Sequence, residues 1–485
     1  MSAARPPALV AVDTSAEAGR LAKFGYVGLA LGAAAYWFNS PWQSPLLNLL
    51  AILICVMGVW PMLRWLQRND QAYPLLEVIL LTMVPFYAVP LLSEHEAVVI
   101  YSEPVLIQAA ALVLVFQLAC AVGGKWGDGR PVEVPGGVWW SDELIPDDNL
   151  RFTSYTLIIT TVWMFISAFT HLVPPEVVGT LRAVFFGIGI ISGFIQARMW
   201  GSGLLHRQQK TTFVVNIVLQ ILLANLGLLL VNGLITLLIV LVGYFSTARR
   251  LPLLVCLISL PAFAVLHSGK HKMREIYWGE HGHDVALTEV PAFYQEWIGY
   301  GLESGVKIAG KEDSAGHSSL FDRASLFQIV CYTMDTIPSR TPFLSGETYS
   351  YVLPQIIPRF IWPTKPSPND SVKVLSVKMG MLTAEQAETT SIGYGLIAEA
   401  YANFGYYGSM VLALFLGLSA RKIARHTAAC STLSFGGLFR ILCLAWCLNT
   451  ETTLAVWLSS LYQACIAIGV PLLFYRSFIG GNNSR

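Results

Sequence analysis

Twelve apolar segments along this chain of 485 residues constrain its fold most strongly. The hydrocarbon core of a bilayer is about 30 Å thick, and roughly 20 helical residues cross it. Backbone polar groups in lipid need partners within the protein, so such segments fold as helices. The segments cover approximately residues 24–40, 45–63, 74–92, 104–123, 153–173, 178–197, 211–229, 231–247, 251–267, 396–419, 435–450 and 454–475.

Charged residues make up only 13% of the chain, about half their share in an ordinary soluble protein. A net charge of +1 gives no field that would recruit nucleic acid, so nucleic acid is not an expected partner. The sequence therefore predicts an all-α, polytopic integral membrane helix bundle with about twelve transmembrane helices.

The basic residues between segments alternate along the chain. Cytoplasmic connections of membrane proteins carry an excess of Lys and Arg. Here the even-numbered connections and both tails are basic, which places both termini in the cytoplasm. The clearest basic residues in those connections are Arg64, Arg68, Arg198, Arg207, Lys210, Arg249, Arg250, Arg421, Lys422 and Arg425.

One long polar stretch, residues 268–392, interrupts the apolar segments. It divides the chain into a bundle of about nine helices over 1–267, a large loop, and a bundle of about three helices over 393–485. The alternation places the loop opposite the cytoplasm, which in a bacterium with an outer membrane is the periplasm. Ser319–Thr336 is predicted to be an amphipathic helix and Pro338–Pro366 irregular backbone. We expect the active site in this loop, because long loops with apolar faces are usually functional.

Basic residues after the ninth segment and beside the predicted loop helix are candidates for binding phosphate. Lys272 and Arg274 follow the ninth segment, where an interfacial anchor is the alternative interpretation. Arg323 and Arg340 flank the predicted amphipathic helix. For Arg323 the alternative is a structural salt bridge with the neighbouring Asp322 or with Glu347.

The proline-rich run over residues 358–366 holds a third basic group. Proline fixes its own φ and restricts the residue before it, so this backbone is stiff. An arginine fork at Arg359 suits phosphate oxygens, and the Lys365 ammonium adds a point charge. The face of Trp362 suits the apolar side of a sugar ring. The alternative is a rigid loop with a core tryptophan.

The tenth segment contains a carboxylate, Glu399, and an amide, Asn403, four residues apart and hence on one helical face. A carboxylate in an apolar helix is costly and normally paired, which makes it a functional candidate. Structural pairing with a loop arginine is the alternative. Arg182, near the outer end of the sixth segment, is expected to face the same site or to snorkel to the interface.

Residues 358–366 (PRFIWPTKP), followed by residues 399–405 (EAYANFG), resemble the Wzy-type O-antigen polymerases, which join oligosaccharide repeat units. The resemblance extends to the basic stretch of Lys272 and Arg274, to Arg323, and to residues 342–349 (PFLSGETY). It covers roughly residues 268–410.

The resemblance implies an enzyme that joins glycans carried on undecaprenyl diphosphate at the periplasmic face of the inner membrane. Its expected partners are the lipid-linked donor and acceptor and the bilayer, with a chain-length regulator and a flippase as further candidates and with no cofactor or metal. The departing lipid diphosphate needs cations placed in advance, and the attacking hydroxyl a base. Glu399 is the first choice for the base and Glu347 the second. The implied catalytic residues are Glu399, Arg359 and Arg323, and the implied substrate-binding residues are Arg274, Lys272, Arg340, Lys365, Trp362, Glu347, Tyr349, Tyr401, Asn403 and Arg182.

Three alternatives stay open from the sequence. A ligase that transfers finished glycan to another acceptor would use nearly the same chemistry. A glycolipid flippase is less well supported, because transporters place polar sites near the midplane, whereas here polar residues are dense outside it. A non-catalytic subunit of an export assembly is the third.

Overall fold

The computed structural model consists of helices and turns, with no strand among the residues it describes. The helices are α1 (Ser15–Asn39), α2 (Pro45–Gln67), α3 (Leu75–Leu92), α4 (Glu103–Gly127), α5 (Leu150–Phe169), α6 (Pro175–Gly201), α7 (Arg207–Asn225), α8 (Leu230–Ala248), α9 (Leu253–Tyr277), α10 (Val290–Ala309), α11 (Leu326–Thr336), α12 (Asp370–Lys378), α13 (Gly395–Thr427), α14 (Phe435–Cys447) and α15 (Leu454–Ile479). The described residues are 15–40, 44–67, 73–93, 95–129, 150–170, 172, 175–228, 230–248, 250, 252–277, 285–309, 326–357, 361–389, 391–431 and 434–479.

Each of the twelve predicted segments overlaps a helix, namely α1–α9 and α13–α15. Within the described ranges, eight helices are long and apolar enough to cross a bilayer: α1–α4, α6, α8, α9 and α13. Shorter apolar stretches occur in α5, α14 and α15. The chain is therefore a helical membrane protein, and the count of twelve spans and their orientation stay predictions.

The ninth helix is longer than the sequence analysis predicted. Its apolar stretch ends near His267, but the helix continues to Tyr277 because no glycine or proline interrupts it after Gly269. Lys272 and Arg274 therefore lie in the last turns of α9 and not in the loop that follows it.

Helices α4 and α13 pack side by side through glycines. A Cβ atom at Gly417 would lie 1.8 Å from the carbonyl oxygen of Cys120, and one at Gly123 would lie 2.1 Å from that of Leu414. Small residues permit such close backbone approach between membrane helices. This contact fixes α13, the helix that carries Glu399 and Asn403.

The loop lies at one end of the bundle. The hydroxyls of Ser371 in the loop and Thr453 are 2.8 Å apart, and Gly395 at the start of α13 donates its N–H to the carbonyl of Glu451 at 2.9 Å. The loop and the start of α13 therefore both contact the connection between α14 and α15. At the opposite end of α13, Arg421 forms a mostly buried ion pair of 2.8 Å with Glu77. The predicted loop helix over 319–336 is found as α11, and its residues before Leu326 lie outside the described residues.

The part of the loop that was predicted to be irregular, Pro338–Pro366, contains two short 3-10 helices, Thr348–Tyr351 and Leu353–Ile356. The described remainder of this stretch consists of turns and extended backbone. It packs against α12 and the first half of α15, with a small apolar core that includes Ile337, Leu344 and Leu375.

Candidate active site

Helix α13 is broken where the second sequence motif ends. Phe404 has φ −142° and ψ 18°, and Gly405 has φ +63°, a left-handed conformation that favours glycine. Just before the break, the carbonyls of Ala402 and Asn403 accept hydrogen bonds from Leu344 N (2.9 Å) and Ser345 N (3.1 Å). A helix break in a membrane protein needs partners for the carbonyls it frees. The loop supplies them, so the segment Pro342–Tyr349 is docked on the break.

The side chain of Asn403 completes the contact between Pro342–Tyr349 and the break in α13, which we call the junction. Its Oδ1 accepts from Gly346 N at 3.0 Å, and its Nδ2 donates to Thr348 Oγ1 at 2.7 Å and to the Glu399 carbonyl at 2.8 Å. Asn403 is fully buried. Gly346 has φ +91°, and a Cβ there would lie 2.9 Å from the Phe404 ring. The turn that reaches Asn403 therefore needs glycine at this position.

Glu399 joins α13 to α15. Its carboxylate is fully buried, and Oε2 accepts the N–H of Leu454, the first residue of α15, at 2.6 Å. The first N–H groups of a helix have no partner within it and favour a negative charge nearby. Oε1 has no hydrogen-bond partner within the described residues. In this geometry the carboxylate positions two helices and does not face an open cleft.

Aromatic side chains surround the junction. The Tyr401 ring packs edge-on against Phe343 and Tyr406, with centroids 6.0 Å and 5.6 Å apart. Tyr349 lies against Phe404 at 6.2 Å, and its buried hydroxyl has no hydrogen-bond partner in the part of the chain that is described. Burial, and secondly the nearby Glu399, raise the pKa of Tyr349 well above its usual value. This phenol therefore stays protonated.

Charged residues line the exposed edge of the docked segment. Glu347 forms a salt bridge with Lys378, and Arg340 Nη2 lies 3.1 Å from Asp335 Oδ2. Thr341 Oγ1 donates to the Lys378 carbonyl at 3.2 Å, which places the two ion pairs beside each other. Sequence reasoning did not identify Lys378, because a lysine in the last turn of a short polar helix looks like ordinary surface.

Lys365 donates hydrogen bonds to carbonyl groups of the loop in which it lies. Its ammonium is buried and donates to the carbonyls of Ile357 (2.7 Å), Gln355 (3.3 Å) and Pro354 (3.4 Å). These bonds favour a structural role, and the predicted contact with phosphate is untested. Trp362 is partly exposed on the same turn.

The remaining predicted residues are less close to the junction or outside the described residues. Arg274 Nη2 donates to the Leu228 carbonyl at 3.0 Å, beside the turn between α7 and α8. Lys272 is exposed and pairs with Glu275 at 3.4 Å, and Arg182 is exposed on α6. Arg323 and Arg359 lie outside the described residues, so their roles stay predictions.

No set of three or more His, Cys, Asp or Glu side chains within the described ranges is arranged to hold a metal ion. The positively charged side chains placed near the docked segment are Arg340 and Lys378. A negatively charged ligand at this edge would therefore meet an arginine fork and an ammonium, each already paired with one carboxylate.

Comparison with known proteins gives one family match. Residues 322–481 match the family model described as O-antigen polysaccharide polymerase Wzy. The matched region contains both halves of the junction, the segment Pro342–Tyr349 and the break in α13. No curated protein and no solved structure is significantly similar to the chain. The match confirms the resemblance: over residues 322–481, the second half of the loop and the last three helices, this chain is similar to the Wzy family of O-antigen polysaccharide polymerases.

Proposed function

We propose that this chain is a membrane glycosyltransferase that polymerises undecaprenyl-diphosphate-linked oligosaccharide repeat units into O-antigen or exopolysaccharide. We place the reaction at the periplasmic face of the inner membrane. One observation carries the proposal. Two of the segments that carry the resemblance, residues 342–349 and 399–405, meet in one junction, where Gly346 contacts Asn403 from 57 residues away in sequence.

The proposed reaction forms one glycosidic bond and breaks one bond to phosphate. A hydroxyl of the incoming repeat unit attacks the anomeric carbon of the reducing-end sugar on the donor. The bond between that carbon and the diphosphate oxygen breaks, and the hydroxyl proton passes to a base. The products are the extended glycan on the acceptor lipid and free undecaprenyl diphosphate.

In this proposal arginines stabilise the negative charge that develops on the departing diphosphate, without a metal ion. Cations fixed in place before the reaction are effective because they need no reorganisation as the charge develops. Arg340 is exposed at the edge of the docked segment and is the best-placed candidate among the described residues. Arg323 and Arg359 are the further candidates, because the resemblance assigns them to the same loop.

The two candidate carboxylates receive different roles. Glu399 is fully buried and accepts a hydrogen bond from Leu454 N, so we assign it to positioning α13, on which the segment is docked, against α15. Glu347 is partly exposed, beside Lys378, and can meet a substrate hydroxyl without a change of fold. A general base needs to lie within hydrogen-bond reach of the proton it takes, and this favours Glu347.

The remaining predicted residues take supporting roles. Tyr349, Tyr401 and Asn403 shape the junction, and Trp362 is a candidate surface for a sugar ring. Lys272, Arg274 and Arg182 are candidate contacts for lipid phosphate at the same end of the bundle.

Deletion of the gene followed by glycan analysis tests the proposal. A polymerase predicts that long chains disappear while products with one repeat unit persist. A ligase predicts that no repeat unit reaches the final acceptor, and a flippase predicts lipid-linked units trapped on the cytoplasmic side. Complementation with Arg340→Ala should give shorter chains, whereas Arg207→Ala, an exposed arginine at the start of α7, should restore full length.

A further inference from the structure

Large apolar side chains are exposed on the second 3-10 helix and on the described residues that follow it. We call this surface the apolar turn and define it by Leu353, Ile356, Ile357 and Ile361. Leu353 is 71% exposed, Ile361 65% and Ile356 52%. A cluster of exposed apolar side chains on one surface indicates contact with another apolar phase or molecule.

Side chains satisfy six backbone carbonyls in and beside the apolar turn, among the residues that the structure describes. Lys365 Nζ donates to three of them, Gln355 Nε2 donates to two more, at 3.1 Å and 3.0 Å, and the Tyr462 hydroxyl donates to one at 2.9 Å. In water such carbonyls would be hydrated without help. In lipid each unsatisfied group costs several kcal/mol, and irregular backbone needs partners from the protein. The carbonyls concerned are those of Tyr351, Pro354, Gln355, Ile356, Ile357 and Pro366.

The contact with Tyr462 gives the depth of the turn. Tyr462 lies eight residues after Leu454, the first residue of α15, which is about 12 Å along the helix axis. The turn is therefore beside the body of α15 and not above its end.

The apolar turn is also next to a surface that faces lipid. Tyr349, just before the turn, packs on Phe404, and α13 continues from there with exposed apolar side chains at Val411 and Phe415. Because α13 is one of the candidate membrane spans, its exposed apolar flank is suited to contact acyl chains. The turn thus extends an apolar lipid-facing surface.

We infer that the apolar turn is inserted into the membrane leaflet on the side of the loop, where acyl chains of phospholipids cover it. Lys365 and Gln355 make this insertion feasible because they satisfy the carbonyls that lipid cannot. The insertion would hold the neighbouring segment Pro342–Tyr349 at the depth of lipid headgroups. The inference rests on the membrane-spanning helices and does not depend on the proposed polymerase activity.

A photo-crosslinking experiment on the full-length protein tests this inference. The crosslinker p-benzoyl-phenylalanine replaces Leu353 or Ile361 in separate variants, both in cell membranes and in vesicles of phosphatidylethanolamine and phosphatidylglycerol. Leu257 in α9 is the lipid-facing control, and Asn369 is the control on an exposed polar part of the loop. Adducts are identified by mass spectrometry of the intact protein and of its peptides.

Phospholipid adducts at 353 and 361, at yields comparable with position 257 and absent at 369, support insertion. If 353 and 361 behave like 369 and give no adduct, the turn faces water and the inference is overturned. Adducts to another polypeptide at 353 and 361, with no lipid adduct in vesicles, would overturn it in favour of a protein partner. Two separate positions keep the test decisive if one variant fails to fold.

Discussion

Asn403 of the broken helix α13 holds Gly346 of the loop, with 3.0 Å between its Oδ1 and the glycine N–H. The same side chain uses both of its amide hydrogens, toward Thr348 and toward the helix itself. A residue with every polar atom engaged is suited to fixing a geometry, and here it fixes the loop segment to the membrane helix.

Replacing Asn403 by Leu should therefore release the docked segment. The buried N–H of Gly346 would lose its acceptor, and leaving such a group unsatisfied costs about 1–3 kcal/mol. We expect the protein to reach the membrane, to melt at a lower temperature and to produce mainly one-repeat glycan. Asn369→Leu, on the exposed part of the loop, is the control and should match the wild type in both melting temperature and chain length.

Two variants of Glu399 test whether its carboxylate positions the helices or acts as the catalytic base. Glutamine retains a side-chain oxygen that can accept from Leu454 N, whereas alanine leaves this N–H without its partner. We expect Glu399→Gln to keep most of the chain-length distribution and Glu399→Ala to lose it. Both are measured on glycans from cells with matched amounts of membrane protein. Equal and complete loss in the two variants, with unchanged melting temperatures, would show instead that the carboxylate acts as the base.

Lys365 offers a stability test that needs no substrate. Lys365→Met removes the donors to three carbonyls of the apolar turn, and hydrogen bonds from charged groups contribute about 1.5–3 kcal/mol. We expect a lower melting temperature for the purified protein without added glycan. The matched control Lys373→Met removes surface ion pairs with Glu388 and Asp370, which contribute little to stability because they are exposed to solvent. A melting temperature equal to that of the wild type would contradict the structural role of Lys365.

The packing of α4 against α13 predicts a strong effect at a single glycine. Gly417→Ala places a Cβ against the backbone oxygen of Cys120, and overpacking of this kind costs about 1–3 kcal/mol or more. We expect reduced levels in the membrane and a lower melting temperature. Gly299→Ala in α10 has no atom within 4 Å of the added Cβ and should be neutral or slightly stabilising. Equal behaviour of the two variants would mean that α4 and α13 are less closely packed than described.

The sequence predicted the long helices well, because length and apolarity alone determine what can cross a bilayer. It also singled out both motifs of the junction. It did not predict that α13 breaks at Phe404 and Gly405, since a lone glycine in an apolar helix is usually tolerated. The break depends on Leu344 and Ser345, which are some sixty residues away in sequence.

Lys365 shows why a candidate site is harder to predict than a fold. A lysine among prolines is compatible with phosphate binding and with capping of carbonyls. Only the folded turn shows which carbonyls surround the ammonium. The same holds for Glu399, whose partner Leu454 belongs to another helix.

The most direct test of the central claim is an assay with purified protein and undecaprenyl-diphosphate-linked repeat units in vesicles. Glycan length and released undecaprenyl diphosphate are measured together for the wild type and for Asn403→Leu. The account predicts a ladder of extended lipid-linked glycans, one undecaprenyl diphosphate released for each new linkage, and little extension by the variant. Transfer of the glycan only to a separate acceptor, or equal extension by the variant, would contradict it.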